Sequence, residues 1–171
     1  MNDDLADLLG LSDFAWQRLR DRMAGLTDDE YLWEPVPDCW TVRPVGDGTF
    51  RADGDGPDHV FTTLSWRLSH IASLLAEDRN AVWLGRPPTD AEQPGDPGTA
   101  AEALARLDAG YGTWRAVVAG CTSESLTEPI GPAGGYFAKD TRRAFVLHIL
   151  DELIHHGAEA ALLRDLYAAQ A

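Results

Sequence analysis

The segment His148-Ile-Leu-Asp-Glu152-Leu-Ile-His155-His156-Gly-Ala-Glu159 carries side chains suited to metal chemistry. Glu152 and His156 are four residues apart, which on a helix stacks them on one face. A carboxylate and an imidazole so placed can supply two of three ligands to one divalent ion. The neighbours Phe145, Val146, Leu147, Ile149, Leu150, Leu153 and Ile154 are apolar, so this helix is expected to be largely buried. Polar groups in such surroundings are costly unless something satisfies them. The helix therefore holds either a metal or a dense hydrogen-bond network.

A third ligand must come from a facing helix if the chain is a bundle. The histidines are His59, His70, His148, His155 and His156. His70 is the best placed, mid-helix beside a core stripe in Ser65-Trp-Arg-Leu-Ser-His70-Ile71. His59, near the start of the same helix, is expected to face solvent. A lone histidine on a partly apolar face is more often a hydrogen-bonded core residue. Glu152 and His156 could equally be a surface pair worth about 0.3 kcal/mol. On the residues alone, the metal and non-metal readings both stand.

Other chemical signatures are incomplete. Glu152-x-x-His155 has the spacing of carboxylate-bridged di-iron bundles, but those need a second Glu-x-x-His, which the chain lacks. The protease pattern His-Glu-x-x-His is absent, because Asp151 precedes Glu152. Cys39 and Cys121 lie too far apart in sequence to resemble a zinc pair. There is no Gly-x-Ser-x-Gly, and Gly131-Pro-Ala-Gly-Gly135 has no following Lys-Ser/Thr to make a phosphate loop.

The elements that must position these residues are helical. Leu8, Leu11, Phe14/Ala15, Leu19 and Met23 recur at helical spacing and predict a first helix over about 5–25, with Gly25 as its stop. Thr27-Asp-Asp-Glu30 reads as the cap of a short helical turn. The stretch from Trp33 to Asp58 is irregular, with Trp40–Arg43 and Thr49–Arg51 as hairpin strands around Gly46-Asp-Gly48. A second helix is expected over about 58–83, with Leu64, Leu68, Ile71 and Leu75 as its core stripe. The proline-rich Gly85–Gly98 is long enough to cross from one end of a bundle to the other. Thr99 caps a third helix over about 100–119, with Leu104, Leu107, Tyr111, Trp114 and Val118 inward. A fourth helix follows the 131–135 loop, over about 140–168. The economical architecture is one all-α domain, 1–171: a four-helix bundle with a short hairpin insertion between its first two helices.

Composition narrows the partners. The formal net charge is −14, and Lys139 is the one lysine among 14 basic residues. Such a chain repels polyanions, so nucleic acid is an unsuitable partner. Two cysteines suit a reducing cytosol rather than a disulfide framework. The acidic N-terminus is neither a signal nor a transit peptide, and no apolar run approaches the ~18 residues of a membrane span. A cytoplasmic setting follows as the expectation. A chain of this length buries about 70% of its unfolded surface, so a metal would be functional rather than a folding staple. A short bundle with several tryptophans could also form a homodimer.

Several stretches together resemble the DinB-like metal-binding four-helix proteins. They are Leu26-Thr-Asp-Asp-Glu30, Trp33-Glu-Pro35, Trp40-Thr-Val-Arg43, Phe61 to Ile71 through Trp66 and His70, and Leu153-Ile-His-His156-Gly-Ala-Glu159. The resemblance implies an up-down-down-up bundle. It also implies a metal triad of His70 with Glu152 and His156, in preference to Glu152 with His155. Many members carry three histidines. The carboxylate at Glu152 resembles the mycothiol-dependent maleylpyruvate isomerase branch, with bacillithiol and mycothiol S-transferases as other relatives. The isomerase has an additional C-terminal domain, whereas this chain stops shortly after Tyr167, so maleylpyruvate itself is not the expected substrate.

The resemblance thus implies one divalent ion (zinc, nickel or iron) and a low-molecular-weight thiol cosubstrate. The expected function is thiol transfer to a small electrophilic molecule. Asp151, His155 and His148 are candidates for outer or pocket roles, His148 as a cavity or proton-moving group, and Trp66 as a pocket wall. Simple packing is the competing role for Trp66 and His148. The alternative functions are a metal-dependent hydrolase and a non-catalytic binding or stress-response protein.

Overall fold

The computed structural model describes residues 4–54, 61–88 and 95–170. The helices are α1 (Asp4–Arg22), α2 (Asp28–Tyr31), α3 (Leu64–Ala76), α4 (Asp78–Trp83), α5 (Ala100–Ala119) and α6 (Arg142–Ala168). Strands β1 (Val42–Gly46) and β2 (Thr49–Ala52) form an antiparallel hairpin between α2 and α3. Short 3₁₀ turns occupy Ser125–Thr127 and Pro132–Phe137. No helix among the described residues is long and apolar enough to cross a membrane.

The four long helices form the bundle. Both α1 and α3 pack against α5 and α6. Pairing between them sets their relative sense. Asp4 meets Arg143 and Arg22 meets Asp165, so α1 and α6 run the same way. Asp13 bonds Arg115 while Arg20 bonds Asp108, so α1 and α5 oppose each other. Arg67 meets Glu159 while His70 meets Glu152, so α3 opposes α6. That last relation brings the middle of α3 across the middle of α6.

Four of the helix starts have a local cause. The hydroxyls of Thr27, Thr63, Thr99 and Thr141 each accept from the amide three residues on, satisfying a donor that the first turn leaves free. Gly25, at φ 72°, turns the chain out of α1. The core draws Leu8, Ala15 and Leu19 from α1, Met23 from the turn after it, and Leu68, Ile71 and Leu75 from α3. It takes Leu107, Tyr111, Trp114 and Val118 from α5, and Phe145, Ile149, Leu150 and Leu153 from α6. Gly110 lets α5 lie close on α3: a Cβ there would come 2.8 Å from the carbonyl oxygen of Ala72.

Three expectations need correction. The predicted 58–83 helix is two helices. It starts at Leu64, because Phe61 and Thr63 are held extended against Trp40 by backbone hydrogen bonds. It breaks at Glu77, whose ψ of 131° is extended, and the Asn80 amide caps the freed carbonyls of Leu74 and Leu75. His59 and part of the Gly85–Gly98 connection (89–94) lie outside the described residues. On α1, Leu11 and Phe14 are exposed, while Ser12 takes the buried position with its hydroxyl 3.3 Å from that of Tyr111. On α6, Leu147 is also exposed.

The hairpin is fastened to the start of α3. The hydroxyls of Thr41, Thr63 and Ser65 form a buried cluster with separations of 2.8–3.0 Å. The indole N–H of Trp66 donates to the Asp53 carbonyl at 2.7 Å. The insertion thus fixes the side chain one turn before His70.

Candidate metal centre

His70 comes from α3, and Glu152 and His156 come from α6. One ligand-capable atom from each lies within 4.8 Å of the others. His156 Nε2 is 2.9 Å from Glu152 Oε2, and His70 Nε2 is 3.8 Å from the same oxygen. Ligands about 2.0–2.2 Å from a tetrahedral ion are separated by about 3.3–3.6 Å, so these two spacings fit a shared ion with small adjustment. The two imidazoles meet edge to face, with ring centres 4.7 Å apart and planes at 89°. His156 is the most enclosed of the three, while His70 and Glu152 are partly open to solvent.

Each of the two histidines is oriented by a neighbour. Trp66 stacks on His70 with centroids 5.0 Å apart and planes 9° from parallel. Burial, and then the facing His156, push the His70 pKa below the ordinary histidine value, outweighing the pull of Glu152. His70 is therefore neutral near pH 7, the form that ligates metal.

His156 Nδ1 lies 2.7 Å from Glu159 Oε2 and 3.0 Å from Nη1 of Arg67. One nitrogen cannot serve both: it donates to the carboxylate or accepts from the guanidinium. The carboxylate contact is shorter and charge-assisted. With Nδ1 turned to Glu159, Nε2 is the nitrogen that faces Glu152 and would ligate an ion. Burial pushes the Glu159 carboxyl up, but the His156 hydrogen bond and the Arg67 charge outweigh it and hold it below the usual range.

Glu159 and Arg67 are therefore the outer partners of the site, and neither was among the expected site residues. Their signal was spacing: Arg67 lies three residues before His70, and Glu159 three after His156.

The other expected residues divide. Trp66 is at the site. His155 is exposed, with Nε2 3.2 Å from Glu159 Oε1, so it reaches the cluster through Glu159. Asp151 is exposed. His148 is exposed and lines a different cleft with Trp83, Phe137 and Phe145. His155, His156 and Glu159 form a second group of clustered donors. It is the poorer set, because Glu159 is already engaged by His156 and Arg67.

Carboxylates behind metal-binding histidines orient the ring, and losing one typically costs about 10–100-fold in affinity. Glu159→Ala is expected to weaken zinc binding by about that factor. Glu159→Gln, which still accepts from Nδ1, should fall nearer the lower end. Calorimetric titration of zinc into the metal-free proteins measures this. Equal affinities in all three would remove Glu159 from the site.

A helical bundle with a His/Glu/His cluster between two antiparallel helices defines a class of helical scaffold with a site between its helices. The chain belongs to the DinB superfamily, whose family model matches residues 12–160. Its structure is similar to the crystal structure of a conserved protein from Enterococcus faecalis, with TM-score 0.63 and 14% identity over 97% of this chain and 98% of that one. At that identity the likeness shows the fold alone. No curated protein matches the chain.

Proposed function

We propose that His70, Glu152 and His156 hold one divalent ion, and that the protein transfers a low-molecular-weight thiol to a small electrophilic molecule. The observation that carries the metal assignment is the convergence of three donor atoms, from two helices, within 4.8 Å. Two neutral imidazoles and one carboxylate leave a divalent ion with net positive charge. An ion held by these three residues would supply a Lewis acid, which favours the ionised form of a thiol over the neutral one.

The protein's own groups do the rest. Glu159 holds the proton of His156 on Nδ1. Trp66 covers one face of His70 and keeps water from it. The chain has no reactive thiol of its own to offer: Cys39 and Cys121 are both buried, and burial pushes both thiols up in pKa. The nucleophilic sulfur must then arrive as a cosubstrate. Attack forms a carbon–sulfur bond, the thiol loses its proton, and the electrophile releases a leaving group or takes up a proton. The reading carries with it a small-molecule substrate and a cytoplasmic setting.

The test is turnover of an electrophile panel (activated aryl halides, epoxides, unsaturated carbonyls) by zinc-, nickel- or iron-loaded protein, with and without a mycothiol-type thiol. Thioether formation that needs both metal and thiol, above the rate of thiol alone, is the expected result. Hydrolysis without thiol would replace transfer by a hydrolase. Full metal occupancy with no turnover would replace it by a binding role.

A further inference from the structure

A cleft of about 750 Å³ opens between the C-terminal half of α6 and the segment that follows α2. Its walls include Trp33, Val36, Phe61, Leu162 and Leu166. Phe61, Leu162 and Leu166 are large apolar side chains 72%, 57% and 47% exposed, all facing one concavity. Trp33 is held in place by an edge contact with Tyr167, at 5.6 Å. Arg67 and Glu159 also line the cleft, whereas His70, Glu152 and His156 do not.

That placement separates the cleft from the metal ligands' donor atoms. Arg67 and Glu159 meet the Nδ1 side of His156, while the triad uses Nε2. An occupant of the cleft would sit behind the His156 ring, against the groups that orient it.

The chemistry of an occupant follows from the walls. The volume lies within the range of about 300–1,000 Å³ typical of small-molecule sites, and the lining is mainly apolar with a few polar groups. The walls come from separate stretches around residues 33–36, 61–67 and 159–170, which shape a concavity rather than a flat face. Its one charged pair cancels, since Arg67 and Glu159 neutralise each other. A chain of net charge −14 disfavours an anionic head.

We propose that this cleft binds a neutral, largely apolar small molecule carrying one hydrogen-bonding group, with that group seated on the Arg67–Glu159 pair. The cleft shares Arg67 and Glu159 with the metal reading but none of its donor residues, and its test uses metal-free protein, so each can fail alone.

The experiment is a fluorescence titration of N-phenyl-1-naphthylamine into the metal-free protein, followed by displacement with decanol or decanoate. Saturable one-site binding is expected, with decanol displacing the probe at least about tenfold better than decanoate, because a buried carboxylate would go unpaired. Leu162→Asp and Leu166→Asp should each weaken the probe by about tenfold or more. Both side chains are about half exposed, so the melting temperature should hold. Non-saturable binding, or binding unchanged in both variants, overturns the proposal. Equal displacement by decanoate overturns the neutral head. A dimer in sedimentation that these substitutions break, with no probe bound, overturns it in favour of a second copy of the chain.

Discussion

His70→Ala is expected to lower metal affinity by more than about 100-fold, because even outer partners of a ligand are worth about 10–100-fold. Glu152→Gln and His156→Ala should do the same. Glu152 is the one anionic donor in the set, and His156 is the most enclosed. His155→Ala should leave stoichiometry intact, since His155 is exposed and reaches the cluster through Glu159 and the His156 ring. That contrast separates the triad from the second donor group, with which it shares His156. A second readout is thermal. An ion at 100 times its dissociation constant stabilises the folded state by about 2.7 kcal/mol, or very roughly 5–10 °C for a chain of this size. The unsubstituted protein should show that rise on adding zinc, and His70→Ala should not. Both proteins should melt alike without metal, because His70 is only half-buried and sits at the edge of the core. Unchanged metal stoichiometry and affinity in His70→Ala and Glu152→Gln together would sink the triad.

Arg164→Ala should cost about 3–5 kcal/mol of stability. Arg164 lies on α6 and grips Glu30 of α2 with both ends of its fork, Nε to Oε1 at 2.6 Å and Nη2 to Oε2 at 2.9 Å. Its Nη1 donates to the carbonyls of Arg22, the last residue of α1, and of Ala24 just beyond it. One guanidinium thus closes three elements at one end of the bundle. The Glu30 side chain is 9% exposed, so removing Arg164 leaves a buried carboxylate without its counter-charge. Deleting one partner is costly for that reason, while replacing both by apolar groups of like volume is often neutral. Arg164→Met with Glu30→Leu should therefore recover most of the loss. Urea unfolding of the single and double variants measures both. An Arg164→Ala protein within about 1 kcal/mol of the unsubstituted chain, a value typical of exposed ion pairs, would refute this account.

Much of the bundle was legible because its signals are local. The third helix runs over the expected residues, since Thr99 caps it and its apolar residues repeat at 3.6. The hairpin falls around Gly46-Asp-Gly48 as its turn residues require. The break at Glu77 was not legible, because neither glycine nor proline marks it. It depends on the Asn80 amide reaching back to carbonyls released by the break itself. The burial of Ser12 in place of Leu11 was hidden too. Periodicity gives a stripe to within about one residue, and the Tyr111 hydroxyl opposite gives a buried serine a polar partner.

At the site, the sequence by itself determined that Glu152 and His156 would share a helix face, because a helix repeats every 3.6 residues whatever it packs against. It could also nominate His70. The meeting of His70 with that pair was decided by the tertiary structure, because the distance between two helices follows from their crossing and from the side chains between them. The same packing set Arg67 and Glu159 behind His156, and carried His148 away to a cleft beside Trp83. Local spacing names the donors; the antiparallel pairing of α3 and α6 decides which of them converge.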